Sequence, residues 1–279
     1  MAAWEGLMAD LFGYNGKRVI VSGCFSGMGE ATARLLLSLG AEVHGLDYKD
    51  CALGLTSFHR TDLRDPASID AAVAAIGGRV DALFNCAGLP QTCPPLDVMK
   101  VNFIGTRHLT DRVIPLMPEG GAIASISSTG GLGWSRRMPV LMELIRAGTF
   151  AEAASWAEQH AEIVREGYAL SKEAVIVWTM MASSRLIKRG IRINCTAPGP
   201  TQTPMMKEFE SATPKAILTM AMQPIDRLST PEEQAGPLVF LNSPAATYVT
   251  GVLLPVDGGF MGGMATGQIE MAALSAAAA

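Results

Sequence analysis

Tyr168 and Lys172 stand four residues apart in a stretch of helical character, Tyr168–Lys188. Positions i and i+4 share one face of a helix, so a phenol and an ammonium at this spacing can point into one cleft. The ammonium would favour the phenolate and lower the tyrosine pKa from its usual value of about 10. A phenol tuned in this way can take a proton from an alcohol or return one to a carbonyl oxygen. The plainer alternative packs Tyr168 on the core and leaves Lys172 in solvent. Ile126-Ser127-Ser128-Thr129-Gly130 closes an apolar burst. A serine at the end of a parallel strand can reach the same cleft and hydrogen-bond a substrate oxygen. Strand-end hydroxyls also serve simply as caps. No GxSxG elbow surrounds these serines, and no His/Asp pair suits a hydrolase triad.

A second constellation is Ser22-Gly23-Cys24-Phe25-Ser26-Gly27-Met28-Gly29, directly after an apolar run and directly before a helix. Glycines here let the backbone turn tightly and approach a ligand. The helix N-terminus then offers free N–H groups and a positive dipole end to a diphosphate. Glycine spacing alone is weak, but the strand–turn–helix context is the one dinucleotide binding requires. Asp47 follows Val43-His44-Gly45-Leu46, about 20 residues beyond that loop. A carboxylate there can accept from both adenosine ribose hydroxyls and would repel a 2′-phosphate, which favours NAD over NADP. Lys49 and Arg60 stand close by, and a turn aspartate at a strand end reads the same way.

These groups need strands that end together and helices that start there. Apolar bursts at Arg18–Ser22, Glu42–Leu46, Asp81–Asn85, Ala122–Ser127, Ile191–Thr196 and Val252–Val256, with a weaker one near Ser57, predict seven strands. They are short and continuously apolar, as in a parallel sheet covered on both faces. Helix-length segments lie between them: Gly29–Leu39, Pro66–Ile76, Leu96–Met117, Tyr168–Lys188 and Pro231–Leu241. The alternation predicts an α/β, doubly wound, mostly parallel sheet. No linker divides the chain, so one domain is expected over 16–263. Residues 1–15 form an N-terminal extension and 264–279 a frayed tail. Two connections exceed the usual length. Leu132–Gly167 has helical character in two pieces, Met138–Arg146 and Phe150–His160, and Pro200–Gln223 is rich in Met and Pro.

Composition excludes other classes. The chain has 279 residues, 49% apolar and 17% charged, enough for a large core. Lys+Arg total 22 against 26 Asp+Glu, so no basic excess exists for nucleic acid. Five scattered cysteines without a CxxC pair read as free thiols in a reducing compartment. The four histidines show no metal-ligand spacing, and no metal is expected. No secretory signal and no run near the roughly 20 residues of a membrane span is present, so a cytoplasmic protein without a membrane partner is expected.

With these residues in view, the sequence resembles the short-chain dehydrogenase/reductases from about Gly16 to Gly259. The resemblance rests on several motifs in order: the SGCFSGMG loop, Asp62-Leu63, Asn85-Cys86-Ala87-Gly88, Val101-Asn102, Ile126-Ser127-Ser128, Tyr168-x-x-x-Lys172, Asn194 through Pro198-Gly199, Thr250-Gly251 and Val256-Asp257-Gly258-Gly259. It implies a Rossmann-type fold. It implies Tyr168 as acid/base, Lys172 as the group that tunes it and binds the nicotinamide ribose, Ser128 as substrate-orienting and Asn102 as the holder of a relay water. For the cofactor it implies Gly23, Cys24, Ser26, Gly27, Met28 and Gly29 at the diphosphate. Asp62 and Leu63 would meet the adenine, and Asn85, Ala87 and Gly88 the adenosine side. Pro198, Gly199, Thr201 and Thr203 would hold the carboxamide. The cofactor would carry the hydride; the protein would supply placement and electrostatics.

Ser128 and Tyr168 are 40 positions apart, much farther than in most members, because of the insertion. With the Cys86-Ala87-Gly88-Leu89 segment and the Pro198–Pro204 loop, this is most similar to the bacterial 3α-hydroxysteroid dehydrogenase/carbonyl reductases. The insertion offers Trp134, Met138, Leu141, Met142, Leu144, Ile145, Phe150 and Trp156 as a possible substrate wall. The later loop offers Met205, Met206, Phe209, Ile217, Leu218, Met220 and Met222. Flexible Met side chains mould to bulky apolar ligands, and they equally fill cores and interfaces. Arg136 and Arg137 can meet an anionic group or stay solvated. The reading is an NAD-dependent oxidoreductase of a hydrophobic, alicyclic or steroid-like secondary alcohol. Rivals are a dihydrodiol, aryl or other small alcohol, a ketoacyl thioester, or a non-catalytic NAD-binding module. A homodimer or homotetramer is expected. Its candidate surfaces are the long helices Leu96–Met117 and Tyr168–Lys188, or the last strand with Pro231–Leu241.

Overall fold

The computed structural model describes residues 12–165 and 167–269. Seven parallel strands form one sheet: β1 (Arg18–Ser22), β2 (Glu42–Asp47), β3 (Ser57–Arg60), β4 (Ala82–Asn85), β5 (Ala122–Ile126), β6 (Arg192–Pro198) and β7 (Leu253–Val256). Their order is β3-β2-β1-β4-β5-β6-β7. The order reverses between β1 and β4, where open α/β sheets bind ligands at the strands' carboxyl ends. Val19, Ile20 and Val21 are fully buried because the sheet is covered on both sides. This is why the strands read as unbroken apolar runs rather than alternating ones.

On one face lie α1 (Gly27–Ser38) and the later helix Pro231–Asn242, packed on a cluster built from Val19, Val21, Leu36, Phe84 and Leu238. Tyr14 joins this face and donates its hydroxyl to the Val239 carbonyl at 2.8 Å. The other face carries α2 (Pro66–Ile76), α3 (Pro95–Met99), α4 (Thr106–Val113), the insertion helices α5 (Met138–Arg146), α6 (Phe150–Gln159) and α7 (Ala161–Val164), and α8 (Gly167–Leu186). Helix starts follow from sequence: Asp65 caps α2, and Thr149 with Glu152 forms a capping box on α6. The remaining helices are α9 (Met206–Ala212), α10 (Lys215–Ala221), α11 (Pro231–Asn242, with a Thr230–Glu233 capping box) and α12 (Phe260–Ala265).

Three expectations change. The helix foreseen over Leu96–Met117 is broken: α3 and α4 flank a π-helical turn, Lys100–Gly105, and a 3₁₀ turn Ile114–Leu116 follows. Periodicity at 3.6 does not reveal a π turn, because one inserted residue leaves the flanking apolar stripes intact. The insertion side chains foreseen as a substrate wall do not line the cleft. Leu141, Leu144 and Trp156 are buried in the main core, and Trp134, Met138, Met142, Ile145 and Phe150 pack against it. Arg107 explains why the insertion seats so firmly. Its buried guanidinium donates to the Ile145 carbonyl (3.1 Å), in the last turn of α5, and to the Thr149 carbonyl (3.3 Å), at the N-cap of α6. Finally, residues 264–269 are not frayed. α12 runs through Met264, and the Gln268 N–H closes onto the Gly263 carbonyl at 2.8 Å. The rest of the foreseen tail lies outside the described residues, as does most of the N-terminal extension.

Candidate active site

β1 ends at Ser22 and the chain turns at Gly23 with φ +75°. A side chain there would meet the Ala87 backbone at 2.6 Å, so both the conformation and the space select glycine. The Gly23 N–H bonds the Leu46 carbonyl and the Cys86 N–H bonds that of Ser22, knitting the ends of β1, β2 and β4 together. α1 then starts at Gly27. Its N-cap, Ser26, is extended and makes no side-chain cap. The first-turn N–H groups of α1 are thus left for a ligand, which is the fit a diphosphate needs. Gly27 faces Thr203 across the crevice, where an added Cβ would stand 3.0 Å from its methyl.

Asp47 ends β2. Its carboxylate accepts from the Phe25 N–H and the Lys49 N–H, each at 3.0 Å. The Lys49 ammonium lies over the exposed rings of Phe25 and Tyr48, 5.2 and 5.3 Å from their centroids. Asp62 accepts from the Arg64 guanidinium, which holds its carboxyl below the usual range.

Several foreseen cofactor residues have their side chains buried or bonded within the protein. The Asn85 side chain is buried and donates to Thr110 Oγ1 (3.0 Å) and Ser125 Oγ (3.1 Å), away from the crevice. Cys24 is fully buried, and its carbonyl takes a weak bond from Cys51 Sγ at 3.3 Å. Leu63 is also buried. The Thr201 hydroxyl is turned inward to the Gly199 carbonyl and Ser229 Oγ, both at 2.9 Å.

Ser128, Tyr168 and Lys172 do meet. They line one cleft of about 680 Å³ together with Met28, Cys86 and Gly88 and with Pro198, Gly199, Thr201 and Thr203. Ser128 caps the 3₁₀ turn Thr129–Gly131, its Oγ accepting from the Gly130 N–H at 3.0 Å. The Ser128 hydroxyl also interacts with Tyr168. α8 is stitched to β5 twice, by Ser127 Oγ to the Lys172 carbonyl (2.8 Å) and by Lys172 Nζ to the Ile126 carbonyl (2.9 Å). Phe209 of α9 stands edge-on to Tyr168, centroids 5.0 Å apart.

Two foreseen residues, Asn102 and Lys172, have well-defined surroundings. Asn102, in the π turn, is bonded through both ends of its amide: Oδ1 accepts from the Leu89 N–H (2.7 Å), and Nδ2 donates to the Leu89 carbonyl (3.1 Å) and Ser171 Oγ (3.2 Å). Its side chain clamps the loop after β4 to α8. Lys172 Nζ lies 5.7 Å from the centroid of the Tyr168 ring. Burial raises the phenol above its usual value, and interaction with the Ser128 hydroxyl pulls it back. Lys172, 4% exposed, is itself pushed down to about 8 by burial. The ionisable groups that act on it are the Cys86 and Cys195 thiols, each held up to about 12 and so neutral. Among the described residues no carboxylate lines the cleft and no His/Cys/Asp/Glu cluster could hold a metal ion.

The wall foreseen from the later loop is present: Met205, Met206, Phe209, Ile217, Leu218 and Met220 line the cleft. Met222 does not; it lines a smaller hollow behind Gly199 and Pro200. Arg136 and Arg137 are not at the cleft either, whereas Arg165 is at its rim. Glu173, directly after Lys172, was not singled out from the sequence. The signal available was a lone carboxylate followed by the apolar run Ala174–Trp178 in the same helix.

A parallel sheet with a glycine turn at its switch point, and a serine, tyrosine and lysine converging beside it, defines a nicotinamide-dependent oxidoreductase of the Tyr-x-x-x-Lys type. The chain belongs to the short-chain dehydrogenase/reductase family. Residues 17–141 match the family model described as short chain dehydrogenase, and residues 141–261 match the model described as enoyl-(acyl carrier protein) reductase. A coniferyl-alcohol dehydrogenase from Pseudomonas sp. strain HR199 is 34% identical over 87% of this chain and 96% of its own length. A 3-alpha-hydroxysteroid dehydrogenase/carbonyl reductase from Comamonas testosteroni is 31% identical over 86% of this chain and 95% of its own. The crystal structure of the 3-alpha-hydroxysteroid dehydrogenase from Pseudomonas sp. B-0831, complexed with NADH, superposes with a TM-score of 0.76. It is 30% identical and covers 89% of this chain and 98% of that one. Complexes with NADPH and NADP are also among the matching structures.

Proposed function

We propose that the protein interconverts a hydrophobic, alicyclic or steroid-like secondary alcohol and its ketone with NAD. The observation that carries this reading is the cleft itself. Ser128, Tyr168 and Lys172 form its floor, methionine, leucine, isoleucine and phenylalanine form its outer wall, and no carboxylate is among the described lining residues. Such a wall accepts an uncharged, bulky body and holds one polar atom against the floor. Ser128 donates its hydroxyl proton to the substrate oxygen. Tyr168 takes the alcohol proton in oxidation and returns it in reduction. Lys172 supplies a close ammonium for the ribose and the phenolate. The nicotinamide, when bound, accepts or donates the hydride. The test is nicotinamide absorbance with purified protein across 3α-hydroxysteroids, alicyclic, aryl and small alcohols, dihydrodiols and hydroxyacyl thioesters. Turnover confined to aryl alcohols would keep the chemistry and discard the alicyclic substrate. NAD binding without turnover of any alcohol would support a non-catalytic module.

Phe209 and the methionines are expected to set size rather than chemistry. Phe209→Ala should raise KM for the bulkiest alcohol about tenfold while kcat changes less than threefold, since a lost wall contact weakens ground and transition state alike. Steady-state kinetics on a bulky and a small alcohol would check this.

Asp47 supports NAD over NADP. Like unit charges a few ångströms apart repel by about 1 kcal/mol even in water, so Asp47→Ala should raise the NADP/NAD ratio of kcat/KM about tenfold. An unchanged ratio would remove Asp47 from cofactor choice.

Self-association belongs to the same proposal. The insertion helices pack on α8 and on the π turn, covering part of one candidate surface. The other, β7 with α11, presents exposed Phe240 and Tyr248. Tyr248→Lys should lower the mass seen by light scattering.

A further inference from the structure

We infer that Glu173 is a positioning residue for the reacting groups, acting through the insertion rather than on the substrate. Glu173 is 3% exposed, one residue beyond Lys172 and one helical turn beyond Tyr168. Its Oε2 lies 3.6 Å from Nε of Arg137. Arg137 ends the 3₁₀ turn Trp134–Arg137 at the start of the insertion.

The strand of chain between β5 and Arg137 carries Ser128. It approaches α8 so closely that a side chain at either of two glycines would force a shift. A Cβ on Gly131 would stand 2.9 Å from the Lys172 carbonyl carbon and 3.1 Å from the Glu173 nitrogen. A Cβ on Gly133 would stand 2.9 Å from Glu173 Oε1. The carboxylate is thus the post against which the loop from Ser128 to Arg137 is seated. The same loop continues into α5–α7 and returns to α8 at Gly167, directly before Tyr168. Arg107 pins its middle through the Ile145 and Thr149 carbonyls. Serine and tyrosine are 40 positions apart in sequence, and the ion pair shortens the effective tether between them. Rotation of the first turn of α8, or lift of the Ser128 turn, would open the distance on which proton transfer depends. Small misplacements of this kind are costly, because a displacement of about 1 Å can lose on the order of a hundredfold in rate. Glu173 does not face the cleft, so the role is distinct from contact with substrate or cofactor.

The inference rests on the reading of Tyr168 and Ser128 as the reacting pair, and Tyr168→Phe is measured alongside. Glu173→Gln keeps the shape and removes the charge. It is expected to lower kcat about tenfold with the fastest alcohol of the panel, with KM and Kd for NAD within twofold of wild type. Arg137→Gln should reproduce this loss, and Arg137→Lys should retain most activity. The double variant Glu173→Gln/Arg137→Gln should be no slower than either single one, as a coupled pair requires. Glu173→Ala is more invasive, and if it fails to fold the two glutamine variants decide. The inference is overturned if Glu173→Gln folds and keeps kcat within twofold while Tyr168→Phe is inactive. It is also overturned if NAD affinity and melting temperature fall together with kcat, which marks a general structural role. Activity that survives Tyr168→Phe would instead overturn the assignment of the acid/base.

Discussion

Tyr168→Phe should lower turnover about a thousandfold, within the range that positioned acid/base groups contribute, and leave the dissociation constant for NAD(H) within about twofold. The expectation follows from what the phenol touches. Its hydroxyl interacts with Ser128, its ring lies against Phe209, and its backbone carbonyl accepts from Ser171 Oγ at 2.7 Å. Phenylalanine preserves the ring contact and the helix bond and deletes only the hydroxyl. A fall in activity without a fall in affinity therefore isolates proton transfer. Wild-type activity in the variant would require another acid at the cleft floor, and none is at hand. The Cys86 thiol is held up to about 12 by burial, and the described lining holds no carboxylate. Ser128→Ala tests the companion role with a smaller expected loss, because its Oγ also holds the Gly130 N–H and part of its work is structural.

The parts of this site that could be read in the sequence are those where residue type alone restricts the backbone or the chemistry. The glycine turn, Tyr168 with Lys172, and the strand-end serine each need a local arrangement that short-range spacing encodes. Four continuous residues such as Ala82–Asn85 announce a buried parallel strand because both faces are apolar. The less legible parts depend on partners far away in the chain. Nothing local to Asn102 says that its amide will meet Leu89 and Ser171, since the clamp exists only once the π turn rolls that face inward. Nothing local to Trp134–Trp156 distinguishes a substrate wall from core. Both are apolar at helical spacing, and the outcome was set by Arg107 and Glu173 on other elements. Asn85 and Thr201 look like ligand groups by type. Their donors instead go to Thr110 and Ser125 from Asn85 and to the Gly199 carbonyl from Thr201. The burial of Lys172 is illegible for the same reason, because it cannot be weighed from a spacing of four.

That buried lysine yields the second large effect. Lys172→Met should abolish turnover on the same scale as Tyr168→Phe and yet raise the melting temperature of the cofactor-free protein near pH 6.5. Burial penalises the charged form, which is why its pKa stands at about 8 rather than 10.5. Below pH 8 the folded protein holds an ammonium that water would solvate better, and the penalty is fully present. Between pH 8 and 10.5 the folded lysine is neutral while the unfolded one is still charged. The unfolded state then binds more protons, and wild-type stability rises with pH through that window. Methionine removes the charge and much of this linkage, at the cost of leaving the Ile126 carbonyl without its 2.9 Å bond. A lost bond of this kind costs about 1–3 kcal/mol. The pKa displacement of some two and a half units corresponds to a penalty of similar or larger size. The stabilisation should therefore be largest at pH 6–7 and shrink, or reverse, as pH passes 8. Scanning calorimetry of both proteins from pH 6 to 9.5 reads it directly. A difference in melting temperature that does not change with pH would mean Lys172 is solvated well enough to stay charged, and the low-dielectric floor of the cleft would have to be given up. A difference that declines through pH 8 would show that the lysine is held at the site against the stability of the empty fold. That is the behaviour expected of a group kept for the charge it supplies when phenolate and ribose arrive beside it.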